Sequence, residues 1–247
     1  MKDNKRVCVV TGGNRGIGLF LSEYLLKKDY KIAILDINTE NFSEKLKKDI
    51  KAKNALALKT DITKYSEIII SVKKIIEKFG AITDLVNNAG VLSIKPFFDE
   101  TEEDWRTLIE VNLNGVFLCC KAVVPIMVKN KSGRIVNISS ISGLKGSIYS
   151  SSAYCASKAG VIGFSRCLAA QVAKYNIRVN CIAPCTTESP MISILDKKVK
   201  EDYIKSVPLG RIAKPSDIAH AVHFLLCDNS DFITGETINL NGGLLMK

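Results

Sequence analysis

The sequence has few residues from which a metal site is built. It contains two histidines, His220 and His223, and its eight cysteines form no CxxC pair. Structural zinc sites use closely spaced cysteines and histidines, whereas these two histidines lie within Asp217–Leu226, which the apolar spacing predicts to be an amphipathic helix. We expect no metal site, and we interpret the cysteines as small core residues in a reducing compartment.

Long apolar runs are also missing. The residues before Val7 are mostly polar or charged, and the apolar run that begins there ends at Thr11. A signal-peptide core is longer than this, and a membrane span needs ~20 apolar residues. No repeat, low-complexity tract or Pro/Gly-rich linker divides the chain. We therefore expect a cytoplasmic protein without membrane contact, folded as one dinucleotide-binding and catalytic domain over residues 1–247.

The charge balance is basic, with 35 lysines and arginines, 25 aspartates and glutamates, and a net charge of +10. The lysines are spread over several segments, so we interpret most of them as solvated helix faces. Excess positive charge also attracts anionic partners, such as a cofactor phosphate or an acidic carrier protein. Since no aromatic-basic cluster or DNA-binding motif is present, we expect no nucleic-acid partner.

Short β-branched segments alternate with longer segments of helical spacing. The predicted strands are Arg6–Val10, Lys31–Leu35, Ala55–Leu58, Asp84–Val86, Arg134–Ile138, Arg178–Ile182 and Thr237–Leu240. The predicted helices are Gly16–Lys28, Asn41–Lys51, Lys64–Phe79, Glu102–Val128, Ala153–Tyr175 and Asp217–Leu226. This alternation predicts an α/β fold, a single doubly wound (Rossmann-type) domain with a mostly parallel seven-stranded sheet and helices on both faces. Its ligand crevice should lie at the carboxyl ends of the strands.

Residues 185–207 interrupt the alternation. The segment follows the sixth predicted strand, contains Pro190 and has helical spacing over Ile192–Tyr203. A long excursion at the carboxyl end of a strand often covers a binding site. We predict a substrate lid here, with a structural crossover as the alternative.

A glycine-rich turn, TGGNRGIG, joins the first predicted strand to the first helix. Glycines permit a tight turn and close approach of the backbone to a pyrophosphate, and the helix N-terminus offers free N–H groups and its positive dipole end. The turn therefore predicts a dinucleotide site. Its cofactor-binding candidates are Gly12, Asn14, Arg15, Gly16, Ile17 and Gly18.

Asp36 ends the second predicted strand, 18 residues beyond Gly18, near the spacing of the acid that binds an adenosine ribose. A carboxylate there repels a 2′-phosphate and favours NAD, whereas Arg15 can pair with that phosphate and favours NADP. We give Asp36 more weight because a buried like-charge contact costs more than a solvated arginine gains. The expected cofactor is NAD, with NADP as the alternative.

Further cofactor candidates follow the third and fourth strands. Asp61 and Ile62 lie where a side chain can reach an adenine amino group, and the motif NNAG supplies Asn88, Ala89 and Gly90. Polar groups at neighbouring strand ends suit the adenosine half of a dinucleotide. For the two asparagines of the motif, a structural turn and a direct contact are equal alternatives.

Tyr154 and Lys158 are four residues apart, so a helix places them on one face. A phenol has an ordinary pKa of about 10, and a neighbouring ammonium together with an oxidised nicotinamide ring favours its ionised form. In the reductive direction the phenol donates a proton to a developing alkoxide. The spacing alone is common, and its position behind a glycine turn and five strand–helix units makes the pair a candidate acid/base centre.

Three polar residues lie near this pair in the predicted fold. Ser139 and Ser140 end the fifth strand, where successive residues face opposite ways, so we expect one hydroxyl to bind the substrate oxygen. Asn112 lies in a long apolar helix and needs a partner there. That partner is backbone, water or Lys158, and by itself Asn112 is best interpreted as a buried structural amide.

From end to end, the sequence resembles the short-chain dehydrogenase/reductase family. The matching segments are TGGNRGIG, NNAG, the helix asparagine, the serine pair, YCASK and ITGETINLNGG. The resemblance implies hydride transfer between a nicotinamide cofactor and a secondary alcohol or ketone. It makes Ser140 the catalytic serine, Tyr154 the acid/base and Lys158 the ribose-binding residue that tunes the phenol.

The resemblance also implies that Asn112 supports a water-linked proton relay to the lysine. It adds Pro184, Thr187 and Ser189 to the cofactor-binding candidates, Ser189 standing where the family has a threonine. A homotetramer is implied, assembled through the two long helices after strands four and five and through the C-terminal strand.

Besides Ser189, the sequence departs from the family pattern at three places, one of which is Asn241, where the family usually has an aspartate near the C-terminus. Ser140 precedes Tyr154 by 14 positions where close relatives usually show 13, which keeps Ser139 as an alternative catalytic serine. Pro184-Cys185 replaces the usual Pro-Gly, and cysteine tolerates a positive φ poorly, so the local backbone should differ.

Within the family, the sequence resembles 3-oxoacyl-acyl-carrier-protein reductases and sugar or polyol dehydrogenases. Basic residues beside the active-site mouth of those reductases correspond to Lys131 and Lys174, and these enzymes mostly use NADPH. Three hypotheses follow: an NAD-dependent alcohol or sugar dehydrogenase or ketoreductase acting on a small molecule, a carrier-protein reductase of fatty-acid synthesis, and a catalytically silent nucleotide-sensing scaffold. The complete Ser–Tyr–Lys set argues against the last.

Overall fold

A computed structural model of the chain describes residues 6–40, 42–189 and 196–246. Seven strands form one sheet in the order β3-β2-β1-β4-β5-β6-β7. All six pairings between neighbouring strands are parallel, which confirms the predicted doubly wound α/β class. The strands are β1 (Val7–Thr11), β2 (Lys31–Asp36), β3 (Ala55–Lys59), β4 (Asp84–Asn87), β5 (Gly133–Ile138), β6 (Ile177–Pro184) and β7 (Thr237–Leu240).

The predicted helices form with shifted ends. They are α1 (Gly16–Leu26), α2 (Glu44–Lys51), α3 (Tyr65–Phe79), α4 (Glu102–Ile109), α5 (Gly115–Asn130), α6 (Ser152–Val172), α7 (Lys197–Ser206) and α8 (Pro215–Leu226). The helix predicted over Glu102–Val128 forms as one continuous helical run, in which a π-helical turn, Glu110–Asn114, separates α4 from α5. In the predicted lid, Pro190 and the first part of the expected helix lie outside the described residues.

The sheet is covered on both faces, and β1 shows how. Val7 and Val9 pack into a core with α3, α5 and α6, whereas Cys8 and Val10 pack into a second core with α1, α2 and α8. Successive strand residues point to opposite faces, so one apolar strand serves both cores. Five of the eight cysteines are buried as predicted, but Cys167 is exposed, and its interpretation as a core residue is wrong.

The continuous helical run Glu102–Asn130 is long and apolar enough to cross a membrane by length and composition alone. Its residues Val116, Val123 and Met127 are buried in the core of the protein. Core helices pass the same test, so one such helix is weak evidence for a membrane span.

Candidate active site

The carboxyl ends of the strands open into a cleft of about 1450 Å³. Most of the predicted site residues line it: Gly12, Arg15, Gly16, Ile17, Asp36, Asp61, Ile62, Asn88, Ala89, Gly90, Ser140, Tyr154, Lys158, Pro184, Thr187 and Ser189. The other three, Asn14, Gly18 and Asn112, are buried behind its wall. The fold thus brings segments from six strand ends to one cavity.

The glycine turn is held against the end of β4. Gly12 has a φ of 65°, and a Cβ on it would lie 2.8 Å from the Cα of Ala89, so only glycine fits there. The Thr11 hydroxyl accepts from the backbone N–H groups of Asn88 and Ala89, and the Asn88 amide donates to the Thr11 and Gly12 carbonyls, all at 3.0 Å. The Asn88 side chain therefore ties the end of β4 to the glycine turn. This is the structural role, one of the two alternatives that the sequence leaves open for the asparagines of the NNAG motif.

Asp36 is bound to the same turn. Its carboxylate accepts from the backbone N–H groups of Asn14 and Asn38, each at 3.0 Å. The side chain is half-buried and lines the cleft, while Arg15 at the start of α1 is exposed. A fixed negative charge thus lies beside the glycine turn, and Arg15 is exposed where it lines the same cleft.

Two features of the turn fit a dinucleotide. The amide oxygen of Asn14 is buried and has no hydrogen-bond partner among the described residues. A Cβ on Gly18 would collide with the Gly12 carbonyl, so the start of α1 comes as close to the turn as backbone allows. The closely approached helix N-terminus suits a bound pyrophosphate, whereas the orphaned amide oxygen of Asn14 is an acceptor that needs a donor, such as a hydroxyl of the cofactor.

Asp61, which follows β3, lines the cleft as an ionised carboxylate. Partial burial would raise its pKa, but hydrogen bonds from the Thr63 N–H at 3.0 Å and hydroxyl at 2.7 Å bring it below the ordinary value. Lys64 adds an ion pair at 3.6 Å. The carboxylate is therefore held in place as an acceptor.

Tyr154 and Lys158 lie on α6, whose N-cap Ser151 accepts from the Tyr154 N–H at 3.3 Å. The Lys158 ammonium donates to the Ile138 carbonyl at 3.0 Å and lies 5.8 Å from the centroid of the Tyr154 ring. Burial lowers the pKa of Lys158 to about 8, so the side chain is still charged at neutral pH.

The pKa of Tyr154 differs from the expectation that the neighbouring ammonium lowers it. Burial raises this pKa, and a hydrogen bond with Ser140 opposes the rise only in part. Desolvation disfavours the phenolate more than the surrounding groups favour it. In the protein itself Tyr154 is therefore a neutral phenol, the form that donates a proton.

The two serines after β5 point to different partners. The Ser139 hydroxyl donates to the Lys158 carbonyl at 2.8 Å, which fixes it against the α6 backbone. The Ser140 hydroxyl accepts from the Ser142 N–H at 3.1 Å and is near enough to Tyr154 to act against the rise in the pKa of its phenol. Both serines line the cleft, but the Ser139 hydroxyl is engaged by the α6 backbone, whereas the Ser140 hydroxyl acts on the phenol.

Asn112 lies in the π-helical turn between α4 and α5. Its side chain accepts from the Val91 N–H at 2.8 Å and donates to the Val91 carbonyl at 2.9 Å and to the Ser157 hydroxyl at 3.2 Å. A Cβ on Gly90 would lie 3.0 Å from the Asn112 oxygen and 3.4 Å from the Lys158 nitrogen. The Asn112 amide thus holds the backbone of Val91 in place. It also lies near Lys158, because both side chains approach Gly90.

Cys185 does not distort the backbone as expected. The non-glycine residues with positive φ among those described are Asp29, Lys53, Lys131 and Asn176, so the chain passes Cys185 in an ordinary conformation. Burial raises the pKa of its thiol, which is therefore protonated beside the cleft.

Lys131 and Lys174 lie far from the cleft of the same chain. They precede β5 and β6 at the amino ends of these strands, where Gly133 pairs with Ile177. Ser140 lies beyond the other end of β5, about 20 Å away for a strand of this length. The prediction that these lysines lie beside the active-site mouth is therefore wrong for the cleft of their own chain.

Glu100 helps to position helix α6, a role that the sequence patterns did not predict. Its carboxylate accepts from the Ala153 N–H at 3.1 Å and from the Ser152 hydroxyl at the start of α6. Partial burial would raise its pKa, but these bonds bring it below the ordinary value. The carboxylate thus caps the helix that carries Tyr154, from 54 positions earlier in the chain, and no local pattern announces such a contact.

The parallel sheet, the glycine turn and the Tyr–Lys pair on the helix after β5 define a nicotinamide-dependent oxidoreductase of the doubly wound class. A family model described as short chain dehydrogenase matches residues 6–200. The chain is 38% identical over 242 residues to the 3-oxoacyl-acyl-carrier-protein reductase FabG of Chlamydia muridarum, covering 97% of each. It is 38% identical over 251 residues to the enzyme of the same name from Thermotoga maritima, covering 100% of each.

Solved structures agree. The crystal structure of gox2181 matches with a TM-score of 0.92 at 32% identity, covering 97% of this chain and 95% of that one. The 3-oxoacyl-acyl-carrier-protein reductase from Brucella melitensis matches with a TM-score of 0.90 at 29% identity, covering 98% and 92%. This chain belongs to the short-chain dehydrogenase family, as the sequence motifs predict, and it is an NAD(P)-dependent oxidoreductase that acts on a ketone.

Proposed function

We propose that the chain interconverts a small ketone and its secondary alcohol with NAD, using Ser140, Tyr154 and Lys158 as catalytic residues. The observation that carries this proposal is the placement of Tyr154, which lines the cleft together with Ser140 and Lys158 and whose ring centroid lies 5.8 Å from the Lys158 ammonium. A nicotinamide, when bound, supplies or accepts the hydride. The residues of the chain then handle the substrate oxygen and its proton.

In this proposal the Ser140 hydroxyl holds the substrate oxygen against the phenol. Tyr154, neutral because burial raises its pKa, donates its proton to that oxygen as negative charge develops there. The Lys158 ammonium stabilises the resulting phenolate and binds the ribose. Asn112, close to the lysine around Gly90, supports the path by which the proton is replaced.

The cofactor preference rests on Asp36. Its carboxylate is fixed beside the glycine turn, where it can accept from ribose hydroxyls and would repel a 2′-phosphate. NADP is the alternative, because Arg15 at the start of α1 is exposed and free to turn towards such a phosphate. The cleft-lining residues named above, with Asn14 and Gly18, form the proposed cofactor site.

A second candidate is 3-oxoacyl-acyl-carrier-protein reduction, the activity for which the similar proteins are named. That substrate requires an acidic carrier as partner. Lys131 and Lys174 lie at the end of the sheet opposite the cleft, so the contacts with such a carrier would have to come from other residues. A silent nucleotide-sensing scaffold is disfavoured by the complete Ser–Tyr–Lys set.

Three further proposals concern the lid, the assembly and the location of the protein. Within residues 185–207, α7 contributes Val199, Tyr203 and Ser206 to the cleft wall, which supports a lid. A homotetramer is supported by Phe117 on α5, which is 45% exposed, and by the fully exposed Phe232 before β7. We place the protein in the cytoplasm.

The test is a matrix of two cofactors and several substrates. NADH or NADPH is mixed with small ketones, keto-sugars and a β-ketoacyl thioester, and oxidation of the reduced cofactor is followed. We expect turnover of a small ketone with NADH. Turnover of only the thioester, with NADPH, would select the second candidate, and no turnover of any substrate would support the scaffold.

A further inference from the structure

Two tyrosines that the proposed mechanism does not use meet across the cleft. Tyr149 lies in the connection between β5 and α6, Tyr203 lies on α7, and both line the cavity that contains Tyr154. Their ring centroids are 6.4 Å apart at an interplanar angle of 75°. Aromatic rings in this edge-to-face arrangement are in van der Waals contact, so no chain of carbon atoms passes between them. We call this pair the tyrosine bridge.

The bridge is anchored on the α7 side. The hydroxyl of Tyr203 accepts from the backbone N–H of Thr186 at 3.1 Å. Thr186 is itself fixed, because its carbonyl accepts from the Ala213 N–H at 3.0 Å. A backbone N–H that loses its partner on partial burial costs free energy, so this bond holds the Tyr203 ring in its place over the cleft.

The other side of the bridge is also held. The Tyr149 N–H donates to the Ser147 hydroxyl at 3.1 Å, and the hydroxyls of Ser142 and Ser150 are bonded at 3.3 Å. The end of the connection is fixed by the Ser151 N–H, which donates to the Ser93 carbonyl at 2.8 Å. Tyr149 therefore projects from a loop that is held by hydrogen bonds within itself and by one to Ser93 in the connection after β4.

The position of the bridge relative to the reacting groups sets its consequence. Strands β5 and β6 are neighbours, with Ile138 paired to Ile182, so Ser140 and Cys185 flank the same part of the cleft. The chain from Ser140 leads to Tyr149, and the chain from Cys185 leads to Tyr203. The rings thus join the two walls between which the substrate carbonyl is held.

We propose that the tyrosine bridge is a size filter that limits the substrate to compact ketones. The inference rests on the proposed function and names its substrate class. A long substituent on the carbonyl would have to separate the two rings and strain the Thr186 bond, whereas a short one ends before the bridge. Specificity would therefore come from exclusion of large substrates.

Two variants test the filter with straight-chain methyl ketones of increasing length and NADH. Tyr149→Ala removes one ring and leaves the Tyr203–Thr186 bond intact. We expect it to raise the ratio of kcat/KM for long over short ketones by about tenfold or more, the range in which pockets discriminate alkyl groups. Tyr203→Phe keeps the ring and loses the hydroxyl, so the ratio should rise less. Tyr65→Ala is the control, since Tyr65 and Tyr149 are each 38% exposed and Tyr65 lies on α3.

The outcomes separate the filter from the function. If wild type and Tyr149→Ala reduce short ketones equally well and show the same ratio, the filter is wrong and the proposed function stands. If wild type reduces long and short ketones with equal efficiency, the filter is also wrong. If wild type reduces no ketone of any length with either reduced cofactor, the proposed function fails and the filter fails with it.

Discussion

Replacing Asp36 with asparagine should shift cofactor use from NADH towards NADPH. The Asp36 carboxylate is held beside the glycine turn by the N–H groups of Asn14 and Asn38. A phosphate on the adenosine 2′-oxygen would therefore meet a fixed negative charge. Asparagine keeps the shape of the side chain and one acceptor oxygen, so the substitution isolates the charge.

The size of the effect follows from Coulomb's law. Two unit charges about 4 Å apart at an effective dielectric constant of about 20 repel by ~4 kcal/mol. Asp36 is half-buried, so we take about 2 kcal/mol, or roughly thirtyfold in NADPH affinity. The variant also replaces charge-assisted bonds to the ribose with neutral ones. We take the loss in hydrogen-bond free energy to be about 1.4 kcal/mol, which lowers NADH affinity roughly tenfold.

The measurement is kcat/KM for NADH and for NADPH with one ketone. Asp36→Asn should raise the ratio of kcat/KM for NADPH over NADH by about 300-fold, the product of these two factors. Asp99→Asn, which removes the same charge from an exposed position outside the cleft, should leave the ratio unchanged. Preference of wild type for NADPH, or an unchanged ratio in Asp36→Asn, would refute the reasoning.

Three further predictions concern the catalytic centre. Ser140→Ala should lower kcat about a hundredfold, whereas Ser139→Ala should cost about 1 kcal/mol of unfolding free energy; the reverse pattern would exchange their roles. Glu100→Ala should lower stability by ~1 kcal/mol and kcat for ketone reduction as well, with partial rescue in Glu100→Gln; thermal unfolding and kinetics check both. Because Lys158 loses its ammonium above a pKa of about 8, kcat/KM for ketone reduction should fall as pH rises through that value. A profile that stays flat well above it would contradict the role of Lys158.

The fold could be predicted because each unit has a local pattern. The β-branched segments and the helical spacings between them are contiguous in sequence, and they predict every strand of the sheet to within one or two residues at each end. The π-helical turn between α4 and α5 could not be predicted in the same way. It places Asn112 against Val91, and that contact arises only when the strand ends and helices are assembled.

The candidate site likewise contains parts that a local pattern predicts and parts that only the assembled fold brings together. The glycine turn and the Tyr154–Lys158 pair are short motifs, whereas the Glu100 cap and the tyrosine bridge join segments that are distant in sequence. The direction of the Tyr154 pKa was also missed. Spacing on a helix indicates which charge is near the phenol, but the desolvation that outweighs it depends on burial, which only the packed structure provides.

The central claim is that Tyr154 exchanges the proton with the substrate oxygen. Tyr154→Phe removes the phenolic hydroxyl and keeps the ring, so NADH should bind within about twofold of wild type while kcat for ketone reduction falls by a factor of about 10² to 10⁴. Binding is measured by titration with NADH, and turnover is measured with the best ketone of the matrix. Wild-type turnover in Tyr154→Phe, with NADH bound normally, would contradict the account.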